Sequence, residues 1–307
     1  MDLSNVQWIV MAALYGLLFG SFLNVVILRL PLQLDAQWQR DSREFLGLPA
    51  SEELSTSTIA WPRSRCMQCK QTLTAWHNIP VFSYLFLRGR CGYCSSAISI
   101  QYPLVEITTA IVTAATVWHF GANLTAVYAL IFSYALIVLA VIDLRQQLLP
   151  DQITLPLMWM GLWVNLDGHF TPLDAAVLGS IAGYLSLWGI FWIFKLATGK
   201  EGMGYGDFKL LAAMGAWLGW QLLPMLVLFA SLTAAVIGVT AILLKRSSRD
   251  QPIPFGPFLR LPASRHFILA SKYRAVMCDY LAFDNIAVIM MSMRTHVPTI
   301  ESRYVVL

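Results

Sequence analysis

Two carboxylates set against apolar sequence are the residues best placed to do chemistry. Asp207 ends the string Gly202-Met203-Gly204-Tyr205-Gly206-Asp207, and Asp143 closes the apolar run 131–142. An ionisable group at the edge of a membrane span is costly enough that a functional role is the default expectation. Two such acids suit peptide hydrolysis: one, ionised, takes a proton from water, and the other, protonated, donates to the carbonyl oxygen, because like charges held close do not both ionise. Gly204, Tyr205 and Gly206 form the loop beside the second acid, the glycines suiting close approach of backbone or substrate and bends that a Cβ forbids. Each acid also has a plainer reading, Asp143 as an interfacial partner of Arg145 and Asp207 as a helix N-cap. Asp151 is expected to cap the next helix and Glu106 to be buried against a basic residue, so neither joins the pair.

A second constellation is Cys66-Met67-Gln68-Cys69 and Cys91-Gly92-Tyr93-Cys94, two Cys-x-x-Cys pairs with 21 residues between them. Each short loop offers two thiolates to one side, and two loops close a tetrahedron around Zn²⁺ with no open position, which makes the site structural. Metal would stand in for the core that this segment cannot build, coupling binding to local folding. Two disulfides compete with this reading, but a cytoplasmic placement keeps thiols reduced. A redox role lacks the surrounding βαβ pattern. Cys278 reads as a bystander, and His77 as a spare ligand to an already filled tetrahedron.

The elements that must position these groups are membrane helices. Of 307 residues, 57% are hydrophobic and 12% charged, beyond the range of an ordinary soluble domain. Apolar segments predict seven spans, near 6–28, 104–120, 124–142, 153–166, 173–194, 208–222 and 224–244. The first basic residue, Arg29, follows the first span, the reverse of a cleavable signal peptide. Basic residues collect at 29–101, at Arg145, at 195–209 and at 245–249, whereas the alternate connections have none. The positive-inside bias therefore predicts a periplasmic N-terminus with Asp143, Asp207 and the cysteines on the cytoplasmic side. The net charge of +4 belongs to these anchoring loops and does not indicate nucleic acid. The polar segment 35–60 reads as a surface excursion. The expected fold is all-α, a polytopic membrane helix bundle with a small cytoplasmic zinc-binding domain. The expected division is residues 1–28 as first transmembrane helix, 29–103 as the four-cysteine domain, 104–259 as catalytic bundle and 260–307 as a divergent tail.

No His-Glu-x-x-His, Gly-x-Ser-x-Gly or phosphate-binding glycine loop occurs. Together, Gly20-Ser21-Phe22-Leu23-Asn24-Val25-Val26-Ile27, the cysteine pairs enclosing Asn78-Ile79-Pro80 and Leu87-Arg88-Gly89-Arg90, Tyr102-Pro103-Leu104-Val105-Glu106, Asp143 with Leu149-Pro150-Asp151, and Gly204-Tyr205-Gly206-Asp207-Phe208-Lys209 resemble the type IV prepilin peptidases, membrane-embedded aspartic proteases of bacterial pili and type II secretion. The resemblance spans about residues 20 to 259. It implies an inner-membrane protein with Asp143 and Asp207 as catalytic residues, cleaving the basic leader of prepilins and pseudopilins at a Gly-Phe type junction. It also implies methylation of the new N-terminal amine with S-adenosylmethionine, for which no residue is assigned. A basic leader would be drawn to the anionic inner leaflet. The family-like string 253–259 is normally followed by a last membrane helix; here the chain continues Arg260-Leu261-Pro262-Ala263-Ser264-Arg265-His266, and its most apolar stretch carries Asp279 and Asp284. The alternative from another class is a non-catalytic assembly factor of a pilus or secretion system; a metal transporter would need ligating groups along its spans.

Overall fold

The computed structural model describes residues 3–49, 58–59, 63–66, 68–200 and 202–232. The seventh predicted span past residue 232, the string 253–259, the tail 260–307 and Cys278 lie outside the described residues. Helices follow in the order α1 (Leu3–Phe45), α2 (Phe82–Phe86), α3 (Gln101–Phe120), α4 (Leu124–Gln146), α5 (Asp151–Val164), α6 (Leu173–Thr198) and α7 (Tyr205–Leu218), before an apolar helical stretch, Trp220–Leu232. Among the described residues there is no strand, only two isolated bridges beside the cysteine pairs. The all-α expectation holds.

Among the described residues, four helices are long and apolar enough to cross a membrane: Val6–Phe45, α3, α4 and α6. Helices α5 and α7 have 14 residues each, about 21 Å at 1.5 Å per residue against a hydrocarbon core of about 30 Å. Two of the predicted spans are thus short helices, cut by Pro150 and Asn165 around α5 and by Gly204 and Gly219 around α7. At the other extreme, α1 runs on to Phe45, so the expected break at residue 28 and the excursion from 35 give way to continuous helix through Pro31. Leu23, Ile27, Leu30 and Leu34 keep one buried face at three- and four-residue spacing across that break. Beyond it Gln37, Gln39, Arg40, Arg43 and Glu44 are good helix formers.

The described residues fall into two compact units, one ending at Ala122 and one beginning at Asn123. In the first, α1 packs against α3 through a small-residue stripe. A Cβ on Gly16 would lie 2.7 Å from the Cα of Ala110, and one on Gly20 2.6 Å from the Cα of Glu106. One turn on, buried Asn24 donates from Nδ2 to the carbonyl of Tyr102 at 3.1 Å. Positions 16, 20 and 24 therefore face 110, 106 and 102 in antiparallel register, the small-xxx-small approach that membrane helices use where lipid removes the hydrophobic drive to associate.

The second unit repeats the device. On α6, Gly179 and Gly183 lie against the backbone of Gly215 and Leu211 of α7. On the other side α5 covers α7, with Gly161 leaving room for the indole of Trp217, whose Nε1 donates to the Leu157 carbonyl at 2.8 Å. Fully buried Asn165 closes the arrangement: Nδ2 donates to the carbonyls of Ala216 (2.8 Å) and Trp217 (3.2 Å), and Oδ1 accepts from the amides of Phe170 (3.1 Å) and Thr171 (3.2 Å). One amide side chain satisfies the otherwise orphaned end of α7 and orders the connection into α6.

Glycine spacing on α6 gives a test within one helix. A Cβ at position 183 would sit 2.6 Å from the Leu211 carbonyl oxygen, whereas position 189 has nothing within 4 Å. Gly183→Ala is expected to destabilise by about 1–3 kcal/mol through overpacking. Gly189→Ala should be neutral or stabilise by up to about 1 kcal/mol through helix propensity. Thermal unfolding in detergent, followed by circular dichroism, would read both; equal behaviour would contradict the close α6–α7 approach.

Candidate active site and metal centre

Both acids belong to the second unit and both are buried. Asp143 lies in the last turn of α4, whose chain then reverses at Gln147, a left-handed residue with φ 53° whose amide donates to the Asp143 carbonyl at 2.9 Å. Asp207 is the third residue of α7. The N-cap of that helix is Gly204, so the reading of Asp207 as a cap is not what forms; its own amide donates to the Gly204 carbonyl at 3.2 Å. Asp151 is not the cap of α5 either: Pro150 holds that place, and the Asp151 carboxylate takes both of its oxygens to Lys209 Nζ, at 2.9 and 2.7 Å.

Two contacts tie the start of α7, which carries Asp207, to the chain that follows α4 and Asp143. Gly206 packs on Leu149, in the connection that leaves α4 after Asp143; a Cβ at 206 would be 2.8 Å from the Leu149 Cβ. The Lys209–Asp151 pair ties the next turn of α7 to the end of that connection. The first two turns of α7 are therefore held at two points, one on the four-residue link that follows α4 and one on the first residue of α5. The glycines act by size here and not by turning: neither 204 nor 206 has positive φ, contrary to the expected bend. A Cβ on Gly204 would meet only the Asp207 Oδ2, at 3.9 Å, which leaves open space beside the carboxylate. Tyr205 is half-exposed and packs tilted against Phe191 at 5.3 Å and edge-on against Phe208 at 5.5 Å.

The four cysteines converge. Their Sγ atoms all lie within 4.8 Å of one another, and Cys66 and Cys94 are 3.8 Å apart, near the edge of about 3.8 Å that a tetrahedron of thiolates at 2.3 Å from Zn²⁺ requires. The two loops are the same structure made twice. The amide of Cys66 donates to Gln71 and that of Lys70 to Cys66; the amide of Cys91 donates to Ser96 and that of Ser95 to Cys91. Lys70 and Ser95, each four residues after the first cysteine of its pair, take positive φ of 57° and 59°, and bridges Arg65–Thr72 and Arg90–Ala97 close the loops. This cluster could hold a metal ion. Burial opposes ionisation of Cys66, but the amides of Cys69 and Gln68 and the neighbouring thiols bring it down to about 6. At Cys69 the Gln71 amide favours the thiolate, yet desolvation and its sulfur neighbours push it up to about 11. The thiols do not all ionise side by side unless a cation joins them.

His77 is not among the ligands. Its Nδ1 lies 2.8 Å from Thr74 Oγ1 and its ring packs edge-on against Tyr93 at 5.1 Å, in the space Gly92 leaves. Buried Glu106 meets no basic residue in these contacts: Oε2 accepts the Val81 amide at 2.8 Å, and the Ser21 hydroxyl completes the contact. Sequence reasoning missed Asn165 and Val81, which carry no pattern of their own, and the pairing of Lys209 with Asp151, which no local pattern signals.

Residues 14–120 match the family described as Bacterial Peptidase A24 N-terminal domain, and residues 130–239 match the Type IV leader peptidase family. The prepilin leader peptidase/N-methyltransferase of Pseudomonas putida is 50% identical over 254 residues, 83% of this chain and 88% of that protein. Those of Pseudomonas aeruginosa (48% over 248 residues, 81% and 86%) and Dickeya chrysanthemi (48% over 268 residues, 85% and 93%) are similar in the same way. No solved structure gives a significant match.

If the sulfur cluster is a closed metal site, the purified chain carries one metal ion that Cys91→Ala, at the buried ligand, abolishes. Cobalt-loaded protein should show the strong thiolate-to-metal absorption of a tetrahedral site, lost in the same variant. Retention of metal by Cys91→Ala would exclude the four-cysteine site.

Proposed function

The chain belongs to the type IV leader peptidase family, and from that footing we infer that it is an inner-membrane aspartic endopeptidase that cleaves the leader of type IV prepilins and pseudopilins and N-methylates the new terminus. The observation that carries this is near-half identity to proteins of that name across both matched regions, together with two buried acids and the contacts that hold the start of α7 to the chain that follows Asp143. Asp143 and Asp207 are the proposed catalytic residues, and Gly204, Tyr205 and Gly206 the active-site loop.

Hydrolysis then proceeds on this chain's own groups. One ionised carboxylate takes a proton from water as its oxygen attacks the scissile carbonyl; the protonated partner donates to the carbonyl oxygen, giving a tetrahedral intermediate. Collapse breaks the C–N bond, and the amine leaves with a proton from the pair. The acids are not equivalent, since Asp207 sits at a helix N-terminus, the end that favours negative charge, and Asp143 at a C-terminus. The open space beside Gly204 admits an extended peptide. S-adenosylmethionine would supply, when bound, the methyl group for the second activity. Cys66, Cys69, Cys91 and Cys94 would hold Zn²⁺ as a structural ion, their four thiolates sufficing for a closed site. The distribution of basic connections favours, by the positive-inside bias, a cytoplasmic side for residues 29–103 and both acids and a periplasmic N-terminus, with 104–259 as the proposed catalytic bundle.

Asp143→Asn and Asp207→Asn should each lower cleavage of a prepilin in liposomes by at least about 100-fold, the scale of a lost general acid or base, with metal content unchanged. Cleavage by either variant near the parent rate would remove that acid from the mechanism. Loop glycines should separate folding from access. Gly204→Ala, at φ −81° and in open space, should fold normally yet cleave slowly because the methyl group takes up space beside the Asp207 carboxylate that the proposed substrate path uses. Gly206→Ala should lose stability, by about 1–3 kcal/mol, as well as activity. Melting temperature and rate measured together distinguish the two; parent-like activity of Gly204→Ala would refute the proposed substrate path.

A further inference from the structure

Helix α2 turns its most apolar face outward. Phe82, Leu85 and Phe86 lie at i, i+3 and i+4, one face of a helix, and are 52%, 65% and 85% exposed. Trp76, in the neighbouring turn Ala75–Asn78, is 80% exposed. Tyr84, between these residues, points the other way, its ring against Gly89. A water-soluble metal domain would be expected to arrange these faces the opposite way round.

The depth of this patch follows from one hydrogen bond. Helix α3 has 20 residues, about 30 Å in length, so it crosses a hydrocarbon core of about 30 Å only if nearly all of it lies within the membrane. Glu106 is five residues in, about 7.5 Å along the axis from the first residue. Its carboxylate holds the amide of Val81 at 2.8 Å, and Val81 is the N-cap of α2. Val81 is a β-branched residue at φ 60°, a conformation that needs an outside hold. The start of α2 is thereby fixed at the depth of the second turn of a membrane helix. The charge around it points the same way. Residues 63–105 contain Arg63, Arg65, Lys70, Arg88 and Arg90 and no Asp or Glu, and Arg88 and Arg90 are exposed immediately after α2.

We propose that the outward face of α2, with Arg88 and Arg90 beside it, is a membrane-interface anchor that seats the cysteine domain on anionic lipid. Aromatic and leucine side chains enter the boundary between headgroups and acyl chains while the guanidinium groups meet lipid phosphates. The anchor is independent of the catalytic assignment and its test uses no substrate.

The full chain, reconstituted in vesicles of phosphatidylethanolamine and phosphatidylglycerol, would carry the photocrosslinker p-benzoylphenylalanine in place of Phe86, or of Leu85 in a second variant. Phe45, 90% exposed at the far end of α1, serves as the site expected to lie outside the lipid. Protein with unchanged metal content should give several-fold more lipid adduct at 85 and 86 than at 45. Lipid adduct no greater than at 45, or adduct mainly to a second copy of the chain, would overturn the anchor.

Discussion

A 14-residue helix that begins with a buried carboxylate and lies among membrane spans is the constraint on which the second unit is built. Helix α7 is too short to cross alone, and from Asp207 to Leu218 only Lys209 escapes burial. Such a helix is stable in lipid only if protein surrounds it and its end groups find partners. The glycines of α6 let one neighbour approach to backbone contact, Gly161 admits Trp217 on the other side, and Asn165 takes the carbonyls at its C-terminus. Each device would cost stability in an exposed helix, since glycine loses more conformational freedom than alanine. Inside a bilayer, the close contact it permits replaces the hydrophobic drive that is absent there.

The first unit solves a different problem. Between α1 and α3 the chain has too little apolar sequence for a core of its own, and two copies of one backbone loop bring four sulfurs together instead. Lys70 and Ser95 adopt left-handed conformations at equivalent places in the two loops, a strain of about 1–2 kcal/mol each for residues with a Cβ. That strain is accepted because the sulfur geometry depends on it. Glu106 then joins this small domain to α3 through a backbone amide. An acid expected to seek a basic partner is satisfied by the chain itself, which fixes position without placing a second charge in the membrane.

The sequence made the helical class, the four longest spans and the sulfur cluster legible because each rests on a local signal: apolar run length or Cys-x-x-Cys spacing. Helix ends were harder. The continuation of α1 past Arg29 depends on Leu30 and Leu34 keeping the buried face of Leu23 and Ile27, which a hydropathy window sees only as a fall into polar sequence. The roles of Gly204 and Gly206 were foreseen as permission to bend. They prove to be matters of volume, decided by Leu149 at one position and by open space at the other. Such facts depend on partners distant in sequence, as with Lys209 and Asp151, 58 residues apart.

That ion pair shows how a weak interaction can matter for geometry. Both side chains are partly exposed, so its contribution to stability is at most about 1 kcal/mol. Its position is worth more than its energy. It clamps the second turn of α7 to the first residue of α5, while Gly206 on Leu149 clamps the first turn to the same connection. With one contact on the link and one on the residue after it, the start of α7 can neither rotate about its axis nor slide along it without breaking one of them. Asp207 is carried on the first of these turns, and Asp143 on the helix from which the link departs, so the freedom of the two acids relative to one another runs through the link and the first residue of α5.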